Sequence, residues 1–222
     1  MIKAVIFDMD GLLVDSEPFW RKAHIEVLNN YGFVVTEDDV RVAAGKRTGD
    51  QVDIWQQRFG WTTPSNAQIT QEIVSHVTEL VHLNGEALPG VYQLIELFDK
   101  HHAPMAVASS SAPSLINTVL ERLDIKKHMR FAHSAENEAR GKPAPDVFLA
   151  AAKSLGVEPS DCLVFEDSLN GVKAAKAAGM KCIAVPEHPH DPKKFQEAEA
   201  DIIVASLETI DWSIVTSLWN AR

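Results

Sequence analysis

The sequence predicts an α/β protein: a Rossmann-like parallel sheet core with an inserted four-helix cap domain. Three observations lead there. Apolar, strand-like runs alternate with amphipathic helical stretches from Val91 onward, the pattern of a parallel sheet covered on both faces. The chain opens on one more such run, from Ile2, which stops at Asp8-Met9-Asp10-Gly11. Between the two lies a stretch without strand character that reads as helices. The expected division is a core of residues 1–16 and 88–222 and a helical cap of 17–87.

The opening strand is rich in β-branched and aromatic residues, as a buried strand should be. In the insertion, Thr36 suits a helix N-cap, and Ile69, Ile73, Val77 and Leu80 give one apolar face on a helix starting after Pro64-Ser65. Gly45, Gly49, Gly60 and Pro64 punctuate the middle, so about four short helices packed as a bundle are expected. Leu88-Pro89-Gly90 marks the return to the core. A helix through Leu94, Ile95, Leu97 and Phe98 leads to a strand at 105–108, which ends in Ser109-Ser110-Ser111. A helix through Leu115 and Val119, a short strand at 130–133, a loop with Gly141-Lys142-Pro143 and a helix at 146–155 follow. The strand at 162–165 ends in Glu166-Asp167-Ser168; Asn170-Gly171 then opens an alanine-rich helix closed by Gly179 as a left-handed cap. Strands at 182–185 and 201–204 complete the sheet, and Trp212 and Trp219 read as core or interface anchors.

Composition narrows the function classes. The 222 residues are 45% hydrophobic and 23% charged, ordinary globular values with room for a sizeable core. A net charge of -10 argues against sequence-independent nucleic-acid binding, which needs clustered Lys and Arg. No apolar run approaches the ~20 residues that span a bilayer, and the N-terminus begins a strand rather than a signal peptide, so a soluble, cytoplasmic protein is expected. Cys162 and Cys182 both fall in core strands, where a disulfide or a zinc site is not expected.

The chemistry concentrates at strand ends. An open α/β sheet builds its ligand crevice just outside the carboxyl ends of its strands, and Asp8 and Asp10 stand there. Two carboxylates about 4 Å apart repel by roughly 4 kcal/mol at an effective dielectric near 20, so a cation or a raised pKa must relieve them. Asp-Gly is also a hairpin signal, and alone this motif could be a solvated turn. Two more strand ends bring Ser109 and then Glu166 and Asp167 to the same rim, with Lys142 between them in sequence. Singly, Ser109 would cap a strand end, Lys142 would be a solvated lysine, and Glu166-Asp167 would be an acidic first helical turn. Together they make an acidic site with a hydroxyl and a cation. Carboxylate oxygens without neighbouring His or Cys favour Mg²⁺ over zinc, and Mg²⁺ with Lys142 balances Asp8, Asp10 and Asp167, so that a phosphate dianion can enter. Ser111 reads as a helix cap and Asn170 as a phosphate or metal neighbour. His188, His190 and Asp191, in a proline-punctuated loop, read as solvated rather than metal-binding.

Asp8-Met9-Asp10-Gly11, Ser109, Lys142-Pro143 and Glu166-Asp167 resemble, in order and in element type, the four motifs of the haloacid dehalogenase superfamily of phosphohydrolases. The resemblance covers essentially the whole chain. It implies that Asp8 is the nucleophile of a two-step phosphoryl transfer and Asp10 the general acid and base. It implies that Ser109, Ser110 and Lys142 hold the phosphoryl oxygens. It also implies Mg²⁺ on the Asp8 and Asp167 side chains and the Asp10 backbone carbonyl, with Glu166 supporting the ion from behind its ligands.

The helical insertion after the first motif resembles the branch that includes β-phosphoglucomutase and sugar-phosphate phosphatases. Glu17 and Trp20 lie in a Ser-Glu-Pro segment similar to that of the phosphatases; the mutases carry a histidine where Trp20 stands, which leans the reading toward hydrolysis. Trp20 equally suits a hinge-packing aromatic. Lys46 and Arg47, after Gly45, are candidates to meet the substrate phosphate from the cap, Arg47 first, and a solvated loop is the alternative. The expected substrate is a small phosphorylated sugar or polyol, and the expected state a monomer or weak oligomer without nucleic-acid or membrane partners. A phosphosugar mutase, a 2-haloacid dehalogenase and a non-catalytic phosphate-receiving module are the rival readings.

Overall fold

A computed structural model describes residues 2–43, 46–186 and 192–220; Gly45, His188, His190 and Asp191 lie outside them. Six strands form one sheet: β1 (Ala4–Phe7), β2 (Met105–Ser109), β3 (Met129–Ser134), β4 (Cys162–Glu166), β5 (Lys181–Ala184) and β6 (Ile202–Ile203). Their spatial order is β3-β2-β1-β4-β5-β6 and every pairing is parallel. The chain runs outward from β1 to β3, then returns to lay β4 on the other side of β1. This reversal opens a crevice beyond the carboxyl ends of β1 and β4, held level by the pairing of Phe7 with Phe165.

Helices α1 (Glu17–Asn30), α2 (Glu37–Ala43), α3 (Thr48–Phe59) and α4 (Asn66–Asn84) fill the stretch between β1 and the rest of the sheet. Helices α5 (Val91–Lys100), α6 (Pro113–Arg122), α7 (Asp146–Leu155), α8 (Leu169–Ala177), α9 (Pro192–Glu197) and α10 (Trp212–Asn220) cover the sheet. Strands β1, β2 and β4 are buried at every residue, and their side chains alternate between two cores. Val5 and Phe7 join Phe98 of α5, Leu115 of α6 and Val215 of α10; Ala4 and Ile6 join Phe148 of α7 and Val172 of α8. Phe98 meets Phe7 and Phe165 edge-on, at 6.1 and 5.8 Å, and Trp212 at 6.2 Å, so Trp212 is a core anchor. The last strand is shorter than its sequence suggests, and just before it the Asp201 carboxylate accepts hydrogen bonds from Lys176, Lys181 and the Cys182 backbone.

The four-helix insertion starts where its caps say. Thr36 Oγ1 accepts from the Asp39 backbone N–H while the Asp39 carboxylate accepts from that of Thr36, a reciprocal cap at the start of α2. Ser65 caps α4. Helix α4 buries Ile69, Ile73, Val77 and Val81, whereas Leu80 is half-buried. A strict four-residue spacing turns the stripe by about 40° per step, which lets α4 pass from α1 and α3 to reach α6 of the sheet layer. Among the described residues no helix is long and apolar enough to cross a membrane.

One buried group makes this packing sensitive to acid. His24 of α1 stacks on Trp20 with ring centroids 5.4 Å apart and meets Trp55 edge-on at 4.9 Å. Burial pushes its imidazole down to about 3 from 6.5, so the folded chain keeps it neutral where the unfolded chain would protonate it. Stability carried by the neutral ring is therefore present above pH 6.5 and lost as pH falls toward 3, at up to about 1.4 kcal/mol per pH unit. Urea unfolding should show a loss of about 2 kcal/mol from this group between pH 7 and pH 5, absent in His24→Phe.

Candidate active site

At the end of β1 the backbone leaves the sheet through a tight turn in which Gly11 takes φ +73°, a left-handed conformation that favours glycine. A Cβ there would stand 2.5 Å from Asp167 Oδ2, so the turn needs glycine for space as well. This turn places the Asp8 side chain toward β4 and the Asp10 side chain toward α1 and β2.

Asp8 is buried and accepts a hydrogen bond from Lys142 Nζ at 2.5 Å. The same ammonium donates to Glu166 Oε1 at 2.6 Å and to the Ala108 carbonyl at 3.1 Å, which uses all three of its protons. Glu166 is fully buried; its other oxygen accepts from the Ser168 backbone N–H and hydroxyl. Ser168 in turn caps α8 by accepting from the Gly171 N–H. Helix α8 thus begins against the acid, with no room to spare: a Cβ on Gly171 would fall 1.6 Å from Glu166 Oε1.

The charges explain one another. Burial opposes the Lys142 ammonium, but Asp8 and Glu166 overcome it and hold the group above its ordinary range. Burial pushes the Asp8 carboxyl up to about 8, with Lys142 pulling against it and Glu166 pushing with it. Asp167 is raised well above the usual carboxylate range by burial and by the charges of Glu166 and Asp8. Ligand oxygens of Asp8, Glu166 and Asp167 lie within 4.8 Å of one another. Three carboxylates against one ammonium leave two negative charges uncompensated, and the donors are hard oxygens without His or Cys. Such a set fits a divalent cation of the Mg²⁺ kind.

Asp10 is held differently. Its Oδ1 accepts from Ser16 Oγ at 2.6 Å and Trp20 Nε1 at 2.9 Å, and its Oδ2 from Ser111 Oγ at 2.6 Å and Ser109 Oγ at 3.3 Å. Ser111 therefore does not cap α6, whose N-cap is Ala112; its hydroxyl is drawn to the stronger, charged acceptor. Neither Ser16 nor Ser111 stood out in the sequence as an Asp10 partner. The spacing of Ser16 six residues after Asp10, across a glycine turn, is the only trace of the first.

A cleft between the insertion and the sheet brings Asp8, Asp10, Ser109, Ser110, Lys142 and Asp167 together from below. Glu17, Trp20 and Lys46 line it from above, so the sequence candidates on the insertion reach the cleft with one exception. Arg47 turns away: Asp50 accepts from its Nε at 2.8 Å and its Nη2 at 3.1 Å, and the Glu138 carbonyl accepts from Nη1 at 3.4 Å. His24 and Gln51, which sequence patterning gives no reason to select, also line the cleft.

A family model for haloacid dehalogenase-like hydrolases matches residues 2–179. The chain is 36% identical over 209 residues to Hexitol phosphatase B of Escherichia coli (strain K12), covering 93% of each. It is 32% identical over 188 residues to Fructose-1-phosphate phosphatase of the same strain, covering 82% of this chain and 95% of the relative. The crystal structure of β-phosphoglucomutase from Clostridium difficile superposes with a TM-score of 0.85 over 99% of this chain and 98% of that one, at 23% identity, a likeness of fold.

The contact between Gly171 and Glu166 gives a direct test of this geometry. Gly171→Ala should displace the Glu166 carboxylate from Lys142 and destabilise the protein by about 3 kcal/mol or more, as breaking a buried ion pair does. Gly49→Ala, in α3 with open space around it, should be neutral or stabilising by up to about 1 kcal/mol. Denaturant midpoints of the two variants measure both.

Proposed function

Because the chain belongs to the haloacid dehalogenase-like hydrolases, we propose that it is a Mg²⁺-dependent phosphatase of small phosphorylated carbohydrates, sugar or sugar-alcohol monophosphates, acting through an aspartyl-phosphate on Asp8. The observation that carries this reading is the Lys142 ammonium bound at once to Asp8 and Glu166, with Asp167 beside them. That cluster offers a nucleophile, a fixed cation and a divalent-cation site at one point. The named activities of the relatives, on hexitol phosphate and fructose 1-phosphate, supply the substrate class.

In the proposed reaction an Asp8 oxygen attacks phosphorus in line with the ester oxygen. Asp10 gives a proton to that oxygen as the P–O bond breaks, so the alcohol leaves neutral. The same carboxylate then takes a proton from the water that attacks the aspartyl-phosphate, which returns Asp8 and frees inorganic phosphate. Ser109 and Lys142 hold the equatorial phosphoryl oxygens, with Ser110 beside them. Asp8 and Asp167 side chains and the Asp10 carbonyl would hold Mg²⁺, with Glu166 behind; the ion supplies charge neutralisation between the carboxylates and the incoming dianion.

Residues 17–87 act in this reading as a cap over a core of 1–16 and 88–222. The two connections cross side by side, where Val14 bridges Ala87 in antiparallel fashion, the arrangement of a two-stranded hinge. The mutases of this branch carry a histidine where Trp20 stands, and the relatives named above are phosphatases, although Lys46 and Arg21 do line the insertion side of the cleft. Hydrolysis is the better fit.

Purified protein with Mg²⁺ should release phosphate from hexitol and hexose monophosphates. Chelation should suppress the rate and added Mg²⁺ restore it. Asp8→Asn should abolish turnover, and Asp10→Asn should lower kcat by about 10²–10⁴-fold. Full activity in Asp8→Asn, or isomerisation of the sugar phosphate outrunning phosphate release, would overturn the assignment.

A further inference from the structure

The insertion side of the cleft carries two buried polar side chains that the chemistry at Asp8 does not use. His24 is 1% exposed and Gln51 6%, and both line the cleft that holds Asp8 and Asp10. Among the described residues, neither ring nitrogen of His24 and not the Oε1 of Gln51 has a hydrogen-bond partner. The Trp20 carbonyl lies close enough to His24 to offset a little of the effect of burial, but outside hydrogen-bonding geometry. The Gln51 amide has one orientation: its Nε2 donates to the Lys46 carbonyl at 3.1 Å, which only an N–H can face, and this leaves Oε1 as the open end. Folded proteins leave few buried polar atoms unpaired, and three of them beside one cleft point to a ligand that pairs them.

We propose that His24 and Gln51 read hydroxyl groups on the unphosphorylated part of the substrate. The inference rests on the phosphatase reading and assigns recognition of its polyhydroxylated leaving groups to these two side chains. A neutral imidazole offers one donor and one acceptor, and Gln51 Oε1 adds a second acceptor, a set that complements two hydroxyls. Both faces of the assignment are fixed in advance. Trp20 stacks on the imidazole and Trp55 abuts it, so the ring is oriented before substrate arrives. The pair carries no charge at neutral pH and so gives no attraction to a second phosphate or a carboxylate. An apolar leaving group would leave all three atoms unpaired, and a site of this kind discriminates strongly against it.

The test compares kcat/KM for a hexitol monophosphate with that for phenyl phosphate, in the wild type and in His24→Phe and Gln51→Met. The hexitol-to-phenyl ratio should fall about 10- to 100-fold in each variant. The thermal midpoint should stay level or rise in His24→Phe, which removes unpaired buried atoms, and fall by no more than a few degrees in Gln51→Met, which also loses the bond to the Lys46 carbonyl. A ratio that holds within threefold in folded variants, or rates that fall equally on both esters, would overturn the proposal. Should His24→Phe fail to fold, a series of monodeoxy hexose 6-phosphates on the wild-type enzyme carries the same question: at least one position should lose tenfold or more, and no loss at any position refutes hydroxyl reading. Absence of phosphate release from every ester would fell the phosphatase assignment itself, whereas aryl and hexitol phosphatase activity with an unmoved ratio fells this inference alone.

Discussion

The Lys142 ammonium, fastened between Asp8 and Glu166 at the open end of the sheet, is the contact on which the rest of the site depends. Taking an ammonium and two carboxylates out of water costs several kcal/mol per ion, and apolar residues of similar volume would hold a fold at least as well. Stability alone therefore does not account for the cluster. With Asp167 beside it, the group is short of positive charge by about two units, and a dication or two protons must complete it. A fold that keeps such an imbalance at its centre has put reactivity ahead of stability at that point.

The imbalance shapes the backbone around it. Two glycines are required where the chain passes the carboxylates: Gly11, against Asp167, and Gly171, against Glu166. Neither serves a general looseness. Each allows a main chain to approach an acid more closely than any side chain permits, so that strand ends β1 and β4 and the start of α8 converge on one small volume. The aromatic stack of Phe7 on Phe165, 5.6 Å between centroids, holds the same two strands level one residue before the carboxylates begin.

Much of this was legible in the sequence because strands advertise their ends. Asp8, Ser109 and Glu166-Asp167 each follow an apolar run, and parallel topology sends all three to one rim, so their meeting follows from pattern and handedness. Lys142 is legible as the cation that offsets the acids; that it spends three protons on three acceptors, Glu166 and the Ala108 carbonyl among them, is not. The insertion is less legible. Its caps at Thr36 and Ser65 were visible, but which side chains face the sheet depends on how α1 and α3 lie against α4. For that reason the sequence points to Leu80 where Val81 is buried, and to Arg47 for a role that its neighbour Asp50 competes for. His24 looks like any polar residue on an amphipathic helix, and only the two indoles packed around it show that water is excluded there.

Asp10 has its two oxygens on different sides of a seam. Oδ1 is supplied by Ser16 and Trp20 on the way into the helical insertion, Oδ2 by Ser109 and Ser111 of the sheet. One carboxylate is thus a rivet through two layers. If α1 lifts from the sheet, half of that acid's donors leave with it, at about 1 kcal/mol or more for each bond lost. The seating of α1 and the aim of the Asp10 carboxylate are therefore one mechanical variable, so that a shift at the start of α1 moves that carboxylate with it.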